Sequence, residues 1–379
     1  MIIQAFLRWV ETAKASDRAR AASALGRAYV ASAMSTIDRQ AAEMAMTFLL
    51  DDPSPAVRLA LAEALGSSAA APRPIILSLA EDQSAIAGHV IVASPVLEDA
   101  DLVDLAAKGT TETRAMIALR ARVSRPVCAA LAEIGGETEI LLLLDNDGAL
   151  LSGRMIKRIC ERLGHCAEIR DRLFDRHDLP CDARHALVEH VGTALAGFNL
   201  VKDIVGPSRI ARITREACDV ATVKIAGSVE PFEIPALVEH LRVEGKLTPV
   251  FLMHALCSGK IDFFAAAIVN LSGCTEKRVR SIIADGRMHA IRALFESAGL
   301  ARDISTLFVD ATLMWRRQAT VESGDVIASI SAGLLEKFRM TESPLAASGG
   351  LLDLVEKLNI AERRQSARSY ALLAATQAA

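Results

Sequence analysis

Three observations predict an all-α protein. Aromatic side chains make up only 4% of its 379 residues, apolar residues recur at three- and four-residue spacing, and Asp, Pro and Gly punctuate the chain at intervals of roughly 25–40 residues. Pleated sheets draw on aromatic and β-branched side chains, and the first are scarce here, whereas abundant Ala and Leu favour helices that approach one another closely. The punctuation predicts short helical hairpins, each too small to bury its apolar stripe alone. Such hairpins stack into a helical solenoid, here followed by a second helical region and a C-terminal tail.

Residues 1–47 predict two or three N-terminal helices. Phe6, Leu7 and Val10 form one apolar stripe, and Ala41, Met44, Ala45 and Phe48 form another. The repeat region, 48–204, opens with FLLDDPSPAVRLALAEALG. Asp52 or Ser54 serves as N-cap, and Pro follows in the first turn, where its missing N–H costs nothing. Val57, Ala60, Leu61, Ala64 and Leu65 line one face of the helix; Gly66 ends it, and Pro72 and Pro74 prevent its continuation. Ile75, Ile76, Leu79 and Ala80 then carry a second helix. The same succession of polar turn and amphipathic helix returns in later segments as far as 176–192. HVIVASPV, which looks like a strand in isolation, is placed in a helix by this register.

The stretch 205–235 is irregular and marks a boundary. The region 205–320 crowds Phe251, Met253, Leu256 and Cys257 onto one helix and Phe263, Phe264, Ala267 and Ile268 onto the next, which predicts buried helices. Residues 321–379 read as a polar, Gly/Ser-rich linker to about 350 and then a tail helix with Leu351, Leu354, Val355 and Leu358 inward.

DDPSPAVRLALAEALG resembles a HEAT repeat, with Asp ahead of the helix, Pro near its start and Val-Arg within it. The resemblance implies an inter-repeat ladder of Asp and Arg, with Asp52 and Arg58 as members; in the next unit Gly88 or His89 stands where the Arg belongs. Together with GKLTPVFLMHALCSGKIDFFAAAIVNLSGCTEKRVRSIIADG (245–286) and MHAIRALFESAGL, the chain resembles an uncharacterised bacterial family, domain of unknown function 2336, over residues 45–320. That resemblance implies helical repeats and no established activity.

Composition narrows the partners. The 43 basic and 46 acidic side chains are spread along the chain, so no third of it carries the basic excess that holding a phosphate backbone by charge requires. Seven cysteines, an odd number scattered through helical segments, fit small buried hydrophobes in a reducing compartment. The start, MIIQAFLRWVETAK, lacks a cleavage pattern, and the longest apolar runs fall short of the ~20 residues that span a bilayer. A cytoplasmic location is the expectation.

Candidate sites are few. Arg154, Lys157, Arg158 and Arg162 share one helix face, with Arg120, Arg122 and Arg125 on a neighbouring unit, which predicts a basic interaction ridge or a set of solvated ion pairs. Cys160, His165, Cys166, Cys181 and His185 match no zinc spacing, and LDNDGALLSG lacks the later ligands of a calcium loop. Phe263, Phe264 and Trp315 read as core. Neither a cofactor nor a metal is expected, and no phosphate-binding, nucleophile-elbow or metalloprotease motif occurs. The predicted function is a non-enzymatic scaffold or adaptor for protein partners, a second copy among them, with the tail after residue 340 as a docking element. The alternatives are a nucleic-acid binder with a basic concave face and a repeat enzyme that modifies a cofactor in a deep pocket.

Overall fold

The computed structural model describes residues 2–198, 204, 206–320, 329–339 and 349–377, and among them it holds twenty-two helices and no strand. A single isolated parallel bridge, Val123 with Ala149, is the only extended pairing among these residues. The chain is therefore all-α. It divides into two compact units, Met1–Leu179 and Pro180–Ala379.

Unit 1 contains α1 (Ile2–Thr12), α2 (Ala15–Ala31), α3 (Thr36–Leu50), α4 (Pro55–Leu65), α5 (Arg73–Ala80), α6 (Ser84–Ile91), α7 (Asp99–Lys108), α8 (Thr111–Ala118), α9 (Arg125–Ile134), α10 (Glu137–Leu144), α11 (Gly153–Leu163) and α12 (Ala167–Phe174). Packing follows two rows. The even-numbered helices from α2 to α12 each pack on the next even helix, while α1, α3 and α5, and then α7, α9 and α11, form the second row. The turns explain why neighbours fold back. Pro55 stands at the first position of α4 behind Ser54, and Gly66 receives the chain as α4 ends. Val57, Leu61 and Leu65 are fully buried from α4, as are Ile75, Ile76, Leu79 and Ala80 from α5. Of the strand-like HVIVASPV only His89, Val90 and Ile91 are helical, at the end of α6; Val92 caps the helix and residues 93–96 form the turn beyond it, because the last turn of α6 closes at Gly88. Where α2 crosses α4, Gly26 is needed: a Cβ there would stand 2.8 Å from the Cβ of Ala64.

One N-terminal expectation is corrected. On α3 the buried set is Ala42, Ala45, Met46 and Leu49, whereas Met44 and Phe48 face solvent. The helix is apolar nearly all round, so local spacing fits two faces; the packing of α1 and α5 on α3 selects one.

Unit 2 contains α13 (Cys181–Gly197), α14 (Pro207–Ala226), α15 (Ile234–Val243), α16 (Pro249–Cys257), α17 (Ile261–Ser272), α18 (Glu276–Asp285), α19 (Met288–Ser297), α20 (Arg302–Thr320), α21 (Ile330–Arg339) and α22 (Gly349–Gln377). It starts earlier than the boundary expected near 205–235, because α13 packs along α14 and against α15. Gly192 permits that approach, since a Cβ there would meet the Cys218 sulfur at 2.7 Å. The core is aromatic at its centre: Phe264 stacks on Phe308 at 6.0 Å between ring centroids, and Phe295 meets both edge-on at 5.8 Å. Phe263 and Phe264 are core residues, as predicted, and Trp315 packs partly buried against the same cluster. Part of the expected linker is helix: α21 buries Ile330 and Leu334, while 321–328 and 340–348 lie outside the described residues. In α22, Leu351 and Val355 are buried, Leu354 and Leu358 partly so, and Lys357 reaches Glu216 on α14 at 2.7 Å.

Candidate interaction surface

Arginine at the fourth position of α2, α4, α8 and α12 builds one recurring joint. Each guanidinium donates to a carbonyl in the turn that leads into its own helix: Arg18 to Ala13 at 2.7 Å, Arg58 to Asp52 at 2.6 Å, Arg114 to Gly109 at 2.9 Å and Arg170 to His165 at 2.7 Å. Three of the four also reach forward to a carboxylate two helices on. Arg18 holds Asp52 through two bonds at 2.7 and 2.9 Å, Arg58 holds Asp82 at 2.6 and 3.0 Å, and Arg114 holds Glu139 at 3.1 Å. The planar fork of Arg fits a carboxylate in this two-bonded manner. Hydrogen bonds from Arg18 and Arg58 hold the Asp52 and Asp82 carboxyls below the usual range. Asp52 and Arg58 thus both occupy rungs, though on successive joints; only the backbone carbonyl of Asp52 meets Arg58. The helices α6 and α10 contain no arginine, so the ladder skips them.

A second set of side chains closes helix ends, where the last carbonyls lack partners inside the helix. Arg120 donates to the carbonyls of Ile91 and Ser94 after α6, the latter at 2.8 Å. Arg162 donates to Ala132 at 2.7 Å and Gly135 at 3.1 Å after α9, and Asn146 to Ala118 at 2.6 Å and Arg120 at 2.8 Å after α8. The Asn146 carboxamide also accepts from the Gly148 backbone at 2.8 Å, so LDNDGALLSG is a capped turn.

The predicted basic ridge is divided by these roles. Arg120 and Arg162 face backbone carbonyls, and burial lowers the pKa of Arg120. Arg158 lies between Glu133 at 2.9 Å and Glu161 at 3.4 Å. Lys157 is half-buried, and Arg122, Arg125 and Arg154 are exposed. Three exposed cations, on α9, on α11 and in the turn ahead of α9, are what remains of seven.

Sequence reasoning missed two other surfaces. On α3, Ile37, Met44 and Phe48 are 78%, 57% and 46% exposed, and Trp9 on α1 is 41% exposed. Their signal was present as the 7- and 4-residue spacing of Ile37, Met44 and Phe48 beside a second apolar set. The other is an open groove of about 590 Å³ lined by Leu77, Leu105, Glu81, Asp82, Asp101 and Asp104. Residues 81–112 hold seven acids and one Lys, which averaging over a third of the chain concealed. Arg58 neutralises Asp82, and Arg73 bonds Asp101 at 2.7 Å.

In unit 2 the buried His185 points its Nδ1 at the Nε2 of His240, 3.2 Å away. Desolvation, and then the neighbouring imidazole, push its pKa down to about 4. Cys181, which shares its helix face, donates to the carbonyl of Glu233 at 3.7 Å, and burial raises its thiol to about 11. Among the described residues no three His, Cys, Asp or Glu side chains converge in a way that could hold a metal. Nor is any described helix long and apolar enough to cross a membrane.

Residues 86–343 match the family described as an uncharacterised protein conserved in bacteria, domain of unknown function 2336. The chain belongs to that family. The match includes the dense block 245–300 and begins after the HEAT-like turn at 49–66. No curated protein and no solved structure matches the chain.

Proposed function

We propose that this protein is a non-enzymatic scaffold that presents a HEAT-like stack of helical hairpins to a protein partner. The observation that carries the reading is the exposed apolar stripe of α3, Ile37, Met44 and Phe48, in a helix that has a different apolar face for its own core. Exposed Met and Phe beside one another, with Trp9 on the adjoining helix, are residue types enriched in the cores of protein interfaces. The stacked rows supply a frame in which such positions keep fixed spacing. Capture from lysate with the wild-type chain and with an Ile37→Asp/Met44→Asp variant tests this. The reading predicts partners lost by the variant while its circular dichroism is unchanged; identical partner sets would remove α3 from the surface.

The rival reading, nucleic-acid binding, rests on the exposed Arg122, Arg125 and Arg154. Phosphate contact needs several such cations acting together, and Arg120, Arg158 and Arg162 are engaged with carbonyls and carboxylates. A gel shift at low and at moderate salt separates the two, since a complex at low salt that weakens steeply with added salt would favour the rival.

A further inference from the structure

The core of unit 2 is apolar, but α13 meets its neighbours across a polar, titratable seam. Its own contribution is Cys181, Asp182, His185, Glu189 and His190. From α14 come Cys218, whose thiol donates to the Val188 carbonyl at 3.8 Å, and Asp219, whose carboxyl pKa is raised chiefly by burial. From α15 comes His240, with Glu233 ahead of that helix and Lys246 beyond it; Lys246 bonds Glu189 at 3.0 Å. Glu189 in turn lies 3.8 Å from the far nitrogen of His185.

The 3.2 Å contact between His185 Nδ1 and His240 Nε2 is stable with a single hydrogen between the two nitrogens. One of the two nitrogens must donate and the other accept, because a ring nitrogen that already carries hydrogen has no lone pair to offer. One added proton leaves a single hydrogen at the contact, as N–H+···N; a second, which charges both rings, sets two N–H groups and two positive charges against each other. His185 is 2% exposed, so water cannot solvate the added charge while α13 stays in place. Glu189 offers only partial compensation, since Lys246 already engages it.

We propose that α13 is a proton-released latch: uptake of the second proton by the His185–His240 pair, which charges both rings, frees α13 from α14 and α15. The sign follows from burial. With its folded-state pKa at about 4 against an ordinary value of 6.5, His185 binds a proton more readily in the open form. The closed form is therefore fully favoured above pH 6.5 and loses ground as pH falls toward 4. Between about pH 7.5 and about pH 5 the opening equilibrium shifts by roughly thirty-fold. This inference does not depend on the scaffold reading.

Hydrogen exchange of the full chain, followed by mass spectrometry at those two pH values and corrected for intrinsic exchange chemistry, reads α13 directly. The expected result is selective acid-induced loss of protection in α13, with α16, α17 and α19 unchanged. His185→Gln abolishes the selective response. Because that substitution is buried, His240→Gln gives a second measure: with the imidazole repulsion gone, His185 followed by NMR titrates at a higher pH than in the wild type. The proposal is overturned if α13 tracks the rest of unit 2, if the His185→Gln chain keeps the acid response, or if His185 of the wild type titrates at an ordinary histidine value.

Discussion

In unit 1, Leu, Ile and Ala fill the spaces between short helices, and guanidinium groups stitch several hairpins to the next; in unit 2, five buried phenylalanines and a long closing helix hold the ten described helices together. The joints of unit 1 link residues 34, 24 and 25 positions apart, whereas Lys357 and Glu216 in unit 2 are 141 apart. Local joints make stability a sum of neighbouring terms, and long-range ones make it cooperative. Substitutions should therefore act over one or two hairpins in the first unit and over the whole of the second.

The largest effect expected is Phe264→Ala. It removes the ring that contacts both Phe295 and Phe308 and should destabilise unit 2 by about 3–5 kcal/mol, with protection lost across α16 to α20 in hydrogen exchange and retained in α2 to α12. Loss confined to α17 would break the contrast. Arg120→Ala comes next, at about 2 kcal/mol, because it strands the Ile91 and Ser94 carbonyls; exchange should rise in α6 and α8 and leave α12 untouched. Gly26→Ala sets about 2 kcal/mol of overpacking between α2 and α4 against about 1 kcal/mol of gained helix propensity, a net loss measurable by urea unfolding. Arg158→Ala should leave the melting temperature unchanged, since both of its ion pairs are exposed. A clear drop there would mean that surface charge also contributes to the stack.

Much of the fold was legible because helix starts and stops are written locally. The Asp-Pro-Ser-Pro turn, Gly66 and the buried positions of α4 and α5 need only the 3.6-residue period and turn chemistry. The α3 face was not legible: TIDRQAAEMAMTFLL supports two apolar stripes, and contact with other helices chooses between them. The ridge failed for a related reason. Spacing placed Arg158 and Arg162 on one side of α11, but whether a long guanidinium reaches solvent or a carbonyl 30 residues earlier, as Arg162 does with Ala132, depends on the neighbouring helix. The His185–His240 contact joins positions 55 apart and left no local trace.

The rungs carry one more implication. Arg18 and Arg58 each reach onward to an aspartate ahead of a later helix, so these two links of unit 1 are interchangeable parts. Aligning Asp52-Pro-Ser-Pro with Asp82-Gln-Ser-Ala places Gly88 opposite Arg58. Excising residues 52–81 would then slide Asp82 into the seat of Asp52, within grasp of Arg18, and the shortened array would reseal with one link fewer. A protein built this way tolerates lengthening or shortening in whole hairpins, and resists it in fractions of one.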